Sequence, residues 1–236
     1  MFSLLISRLL KKGYLPKNNK MECVLFSRPN DDITLGYLYY YSKELVDLAK
    51  SEGLKVINKE GSDANKKNIL SLIEKIKPNL IMFNGHGSPK HILGHKQEII
   101  ISSDENPEVL AGTITYSLSC SSALKLGKKA FECGAIAFIG YDYDFAIGKD
   151  PDSEATPRRD KIAKFFLEPS NILFSSLIQG ARVKTAVQKS KKKMEEYIEF
   201  LSTTDTFPEA PHYAPYLFGN YLGLVVCGNE EASIYR

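Results

Sequence analysis

The amino-acid sequence predicts an α/β fold: a three-layer α/β/α sandwich around a mostly parallel sheet of about six strands. Three observations predict it. Apolar runs of strand length recur at Met21 to Phe26, Leu54 to Asn58, Leu80 to Phe83, Thr113 to Ser119, Ala135 to Gly140 and Leu222 to Gly228. These runs carry β-branched or aromatic residues and break into turn or helix-start residues, as buried strands do. The stretches between most of them span a dozen or more residues, and several have helical spacing, the length a parallel crossover requires.

The first strand closes at Arg28-Pro29-Asn30-Asp31. Gly36 to Glu52 has helical spacing, with Leu38, Leu45 and Leu48 on one face and Gly53 as a stop. Ser62 or Asp63 caps a helix running to Lys77, and Pro78 ends it. Ile92 to Ile101 reads as a small hairpin or excursion, and Ser103 to Gly112 as a loop with one helical turn. Ser121 to Glu132 is predicted helical up to Gly134. After Gly140 the polar stretch Lys149 to Arg159 has loop composition, and Asp160 to Leu167 and Asn171 to Phe200 are predicted helical. Ser202 to Asn220, with three prolines and several aromatics, reads as a loop before the last strand. No internal repeat and no second domain boundary is visible, so residues 21–236 are expected to form one domain.

With 236 residues, 43% of them apolar and 25% charged, the chain can bury a full core. The formal charge of +3 is too balanced for a nucleic-acid or anionic-membrane partner. Cys23, Cys120, Cys133 and Cys227 show no CxxC spacing and no clustered histidines, which argues against zinc. Most of them sit in or beside apolar runs, as buried thiols do, and a reducing cytoplasm is the expected setting. Residues 1–20 are expected to be an extension with the pattern of a short amphipathic helix, too short for stable membrane insertion and dispensable.

The chemistry is concentrated between Leu80 and Cys120. One apolar run breaks into Asn84-Gly85-His86-Gly87-Ser88-Pro89, and a later one into Ser119-Cys120-Ser121-Ser122. Residues just beyond the carboxyl ends of parallel strands gather at one edge of the sheet, where ligands bind. His86 and Cys120 would therefore face each other as a thiol nucleophile and its base. Singly, a histidine beside a glycine is more often a loop residue, and a cysteine after an apolar run a core thiol. Together and in this order they favour the catalytic reading. His91, His95 and His212 lack this context and are expected in loops or at the surface; Cys133 is expected to pack near a helix end, and Cys23 and Cys227 to lie in the core.

These residues resemble the caspase-like (caspase-haemoglobinase) fold of cysteine peptidases, the group of caspases, gingipains, clostripain, separases and CHAT domains. The step from Phe131 to Gly140 is similar to the helix-Gly-Ala-strand step of gingipain-like and CHAT domains. The segment Tyr213 to Gly219, leading into Val225-Val226-Cys227-Gly228, resembles the one before their last strand. Gly180 to Tyr197 is similar to the gingipain-like helix that comes after a glycine. The likeness covers roughly residues 21–228. It departs from caspases in lacking Gln-Ala before Cys120, and from clostripain in having Leu118 where an acidic residue stands.

The resemblance implies a cysteine endopeptidase working by a Cys120–His86 dyad, with the backbone N–H groups of Gly87 and Cys120 as the oxyanion hole. A helix starting near Ser121 would favour the thiolate with its positive end. Asp142 and Asp144 come after the fifth strand; they form a pocket for an Arg or Lys P1 side chain, as in the basic-specific members of the family, or are solvated loop carboxylates. Arg158 and Arg159 mark a self-cleavage loop if basic P1 is preferred; a charged linker is the simpler account. Phe207 to Tyr221 forms a groove wall or packs on the sheet. No metal or cofactor is implied, and the partners are a peptide or protein substrate and a regulatory protein. The competing functions are a catalytically silent binding or scaffolding domain of the same fold and a phosphate-binding loop at Gly85 to Ser88. The second lacks both GxGxxG and GxxxxGK[ST]. An α/β-hydrolase is disfavoured because Cys120 has no flanking glycines to make a strained elbow.

Overall fold

The computed structural model describes residues 21–204 and 209–235. The helix expected within residues 1–20 lies outside the described residues. Six strands form the main sheet in the order β2-β1-β3-β7-β8-β9. They are β1 (Cys23–Arg28), β2 (Lys55–Glu60), β3 (Leu80–Asn84), β7 (Ile114–Leu118), β8 (Ala137–Tyr141) and β9 (Leu224–Gly228). Each adjacent pair is parallel except β8–β9, which is antiparallel. The predicted excursion is a separate three-stranded antiparallel sheet of β4 (Gly87–Ser88), β5 (His91–Leu93) and β6 (Ile99–Ser102).

Strand alternation divides the core into two layers. Val24, Phe26, Leu80, Met82, Ile114, Tyr116 and Leu118 face one side with helices α1 (Ile33–Tyr41), α2 (Lys43–Ser51), α5 (Lys161–Ile178), α6 (Val183–Thr203) and α7 (Ala210–Gly223). Leu25, Ile81, Phe83 and Phe138 face the other with α3 (Lys66–Ile76), α4 (Lys128–Glu132) and the excursion. The three layers are therefore those the sequence predicts, since both faces of the central strands are covered.

Five elements differ from the sequence prediction. The helix before Pro78 is capped by Asn65, whose side chain accepts the Asn68 N–H, and not by Ser62 or Asp63, which lie in a 3-10 turn. The single helix expected over Gly36 to Glu52 is two helices broken at Ser42. The Arg28 guanidinium, 1% exposed, donates to the Tyr39 carbonyl at 2.6 Å and to Ser42 Oγ at 2.8 Å, taking over a carbonyl that would have continued the helix. Over Ser121 to Glu132 there is a π-helical turn, Ala123–Gly127, before the short α4. The helical stretches after Asp160 are divided at Gly180, not before Asn171: α5 runs through Pro169 because Phe166, Leu167, Leu173 and Phe174 are buried around it and outweigh one lost hydrogen bond. The expected loop over Ser202 to Asn220 contains α7, whose buried Ala210, Ala214, Leu217, Asn220 and Gly223 recur at helical spacing. Pro211 lies in its first turn, where no N–H is needed.

Arg28 also donates to Asn58 and Glu60 of β2, so one cation ties β1, β2 and both ends of the α1–α2 break together. Arg28→Ala would orphan those acceptors, and is expected to cost about 3 kcal/mol. Chemical denaturation monitored by far-ultraviolet circular dichroism measures this; Arg28→Lys should recover only part, since an ammonium cannot reproduce the fork.

Candidate active site

The β3–β7 register sets the site. Asn84 pairs with Leu118 at the end of the ladder, so two residues further on His86 and Cys120 stand level at the carboxyl edge of the sheet. The two chains remain in contact beyond the strands. A Cβ on Gly87 would lie 2.8 Å from the Cys120 carbonyl oxygen and 2.8 Å from Ser119 Cβ. Only glycine permits this approach, and it presses the backbone after His86 against that of Cys120.

His86 does not stand alone. Its Nε2 lies 2.6 Å from Asp32 Oδ2, with both side chains partly open to solvent. The carboxylate, N-cap of α1, also accepts the Leu35 N–H at 2.8 Å. Burial alone would raise the Asp32 pKa, but the Leu35 N–H and the His86 ring together hold it below the ordinary aspartate value. With Nε2 on the carboxylate, Nδ1 is the ring atom left for other work. The sequence alone does not single out Asp32. It stands before the helical spacing read from Gly36, and its contact with His86 spans 54 residues. The one available signal is that the β1–α1 turn reaches the same sheet edge as the ends of β3 and β7.

Cys120 is half-buried, and its sulfur lies 3.9 Å from the Phe145 carbonyl oxygen as donor. Burial pushes the thiol pKa up, and the negative charge of Asp144 acts in the same direction. The helix expected to begin near Ser121 and favour the thiolate starts later and irregularly: Ser121 has a φ of 53°, a π-helical turn runs over Ala123–Gly127, and regular α-helix begins only at Lys128. The left-handed Ser121 is held by the segment after β8: its N–H donates to the Tyr143 carbonyl at 2.9 Å and its Oγ to Asp144 Oδ1 at 2.7 Å. That segment is clamped in turn by the buried Asn220 of α7, whose amide both donates to and accepts from the Ala146 backbone at 2.8 and 2.9 Å.

The two candidate pocket aspartates diverge. Asp144 is exposed, beside Ser121 and within electrostatic reach of the thiol. Asp142 packs near Gly223 and Tyr143, and its carboxylate is felt by Lys191 of α6 and Cys227 of β9. The structure thus brings His86, Gly87, Cys120 and Asp144 to one edge and turns Asp142 toward α6 and α7. Of the aromatic segment, Phe207 lies outside the described residues, while Tyr216 and Phe218 are exposed on α7.

The remaining cysteines and histidines lie away from this edge or serve its surroundings. Cys23 is in the core, whereas Cys227 is only half-buried, its sulfur 3.6 Å from the Ala123 carbonyl. Cys133 caps α4. His91 meets Ser88 Oγ at 3.1 Å, His95 has its ring against Asp31, and His212 is exposed on α7. Arg158 pairs with Glu44 in a short 3-10 turn. Among the described residues, no helix is long and apolar enough to cross a membrane, and no three His, Cys, Asp or Glu side chains gather as a metal-binding group.

No protein-family model matches the chain, and no curated protein matches it. Solved structures do. The chain is similar to the Arg-specific cysteine proteinase gingipain R, with a TM-score of 0.56 and 13% identity over 90% of this chain and 47% of that one. It is also similar to the complex of the Porphyromonas gingivalis RgpB pro- and mature domains, with a TM-score of 0.57 and 12% identity over 91% of this chain and 48% of that one. At these identities the likeness establishes a shared caspase-like fold, and the chain spans about half the length of these neighbours.

The thiol environment gives a direct test. Alkylation of Cys120 by iodoacetamide, measured against pH by peptide mass spectrometry, should show a midpoint above the ordinary thiol range. Asp144→Asn removes a negative charge that disfavours the thiolate, so its midpoint should fall. An unchanged or raised midpoint would contradict this assignment.

Proposed function

We propose that this protein is a cysteine endopeptidase in which Cys120 is the nucleophile, His86 the acid/base, and Asp32 the group that orients the imidazole. The observation that carries the reading is the level placement of His86 and Cys120 at the ends of adjacent parallel strands, with Gly87 pressed on the Cys120 backbone.

The chemistry builds on that placement. Because the resting thiol is held neutral, its proton passes to His86 as the sulfur attacks the peptide carbonyl carbon. The oxyanion is received by the backbone N–H groups of Gly87 and Cys120. His86 then returns the proton to the departing amine, leaving a thioester at Cys120, and a water deprotonated by His86 hydrolyses it. Asp32 holds the ring by Nε2, which leaves Nδ1 as the nitrogen that exchanges the proton, and it stabilises the imidazolium formed in each half-reaction. The chemistry requires no metal or cofactor. It needs a reduced thiol, which a reducing compartment such as the cytoplasm maintains.

For P1 the reading is Arg or Lys, met by the exposed Asp144, with Asp142 the lesser contributor because it already lies near the Lys191 charge. A protein substrate and a regulatory protein partner docking at this edge belong to the same proposal. One observation favours a catalytically silent scaffold instead: the raised thiol pKa.

Fluorogenic peptides varied at P1 decide between them. Turnover with Arg or Lys at P1, abolished in Cys120→Ala and reduced on the order of a hundred-fold in Asp32→Ala, is the expected result. Asp144→Asn should then weaken KM for basic P1 alone. Absence of cleavage, together with no selective labelling of Cys120, would establish the scaffold.

A further inference from the structure

Asp31 and Asp32 are adjacent in the β1–α1 turn, yet each holds a different part of the excursion that begins at His86. Asp32 takes the His86 ring. Asp31 reaches the far end of the same excursion: its Oδ2 accepts the Lys96 N–H at 2.7 Å, and its Oδ1 lies 3.2 Å from His95 Nδ1. The second is a close approach without a hydrogen bond, the ring nitrogen having no partner in that geometry. These side chains are 22% and 19% exposed, against 34% and 39% for His86 and Asp32, so the pair at Asp31 is the more enclosed of the two.

The segment it grips is strained: Lys96 and Gln97 have φ of 55° and 59°, two consecutive side-chain-bearing residues in the left-handed region. Its own bonds close it, Gly94 N–H to the Glu98 carbonyl at 2.8 Å and Gln97 N–H to the Gly94 carbonyl at 3.1 Å, and Glu98 Oε2 accepts the Lys66 N–H at 2.9 Å. Two contacts from outside grip the backbone of the turn itself. One is the carboxylate of Asp31; the other is Ala64, whose carbonyl accepts the His95 N–H at 2.9 Å. Gly94 makes the second approach possible, because a Cβ there would lie 2.4 Å from that carbonyl oxygen. Directly before the turn, Leu93 donates its N–H to the His86 carbonyl at 2.9 Å. The backbone from which the His86 ring projects therefore rests on Leu93, the last residue of β5, which pairs with Ile99 and runs directly into the turn.

We infer that Asp31 is a positioning residue: by gripping the Lys96 N–H it holds the 94–97 turn and Leu93 in the place that keeps His86 Nε2 on Asp32. Adjacent carboxylates thus fix the histidine twice, one through its ring and the other through its backbone. A mechanistic consequence for catalysis rests on His86 being the acid/base of the proposed reaction.

The readout is the downfield Nε2–H proton resonance of His86 in the full chain, identified by its loss in His86→Gln and in Asp32→Ala. In Asp31→Ala the resonance should be lost to exchange. In Asp31→Asn, which keeps an oxygen for the Lys96 N–H, it should persist. Where peptides are cleaved, kcat for Asp31→Ala should fall roughly ten-fold with KM unchanged, and Asp31→Asn should recover it. Gly94→Ala displaces the same turn from the Ala64 side without touching Asp31; it should reproduce the loss, and it decides the matter if Asp31→Ala does not fold. A resonance that survives in folded Asp31→Ala or in Gly94→Ala overturns the inference, and so does equal loss in Asp31→Ala and Asp31→Asn. Because the resonance is read without substrate, a wild-type protein that cleaves no peptide would defeat the endopeptidase reading and leave this test intact.

Discussion

The register of β7 against β3 is the constraint on which the site depends, and burial enforces it. Along β7, Ile114, Tyr116 and Leu118 face the larger apolar layer. The alternate residues carry hydroxyls, and those hydroxyls satisfy one another. Thr113 Oγ1 lies 3.0 Å from Thr115 Oγ1 and donates to the Leu110 carbonyl, and Ser117 Oγ lies 2.7 Å from Ser119 Oγ. A slip by one residue would exchange the two rows, putting the hydroxyls into the larger apolar layer and withdrawing Ile114, Tyr116 and Leu118 from it. The same lock fixes the residues just beyond each strand, which sets His86 and Cys120 level at the sheet edge.

The β1–α1 turn supplies the other half of the support. Arg28 stops α1 from continuing into α2. Asn84, two residues before His86, donates its amide to the Leu38 carbonyl of α1. Asp32 caps the helix at its start and takes the histidine ring. The short α1 is thereby tied at both ends to the strand that carries His86. Moving the helix would move the ring, which explains why a buried arginine and a buried asparagine both serve so short an element.

The parts of the fold legible in the sequence are those that burial writes into it directly. The central strands β1, β3, β7 and β8 are buried along their length and form continuous apolar runs, so they and the two edge residues His86 and Cys120 can be read from runs and their breaks, while the half-buried edge strands β2 and β9 leave a weaker mark. The misreadings have a common physical cause, tertiary contacts that override local signals. Pro211, Pro215 and their neighbours read as a loop, but the buried Ala214, Leu217 and Asn220 hold α7 together. The Leu38, Leu45 and Leu48 pattern reads as one helix, and only Arg28, distant in sequence, reveals the break. Asp32 stands outside the helix read from Gly36, and its hold on the His86 ring depends on a partner that no local pattern contains.

The resting state of Cys120 is likewise set by its surroundings. A regular helix beginning beside the sulfur would offer its positive end; instead the chain turns through a left-handed Ser121 and a π-helical stretch, and Asp144 adds negative charge. The thiol is therefore neutral at rest, a form that resists alkylation and oxidation. Ser121 stays in its strained conformation because Tyr143 and Asp144 hold it, and that segment stays in place because Asn220 grips Ala146. The contacts that keep the thiol covered and inert are thus the ones that keep it level with His86. A looser segment would expose the sulfur and release the left-handed turn at Ser121 together.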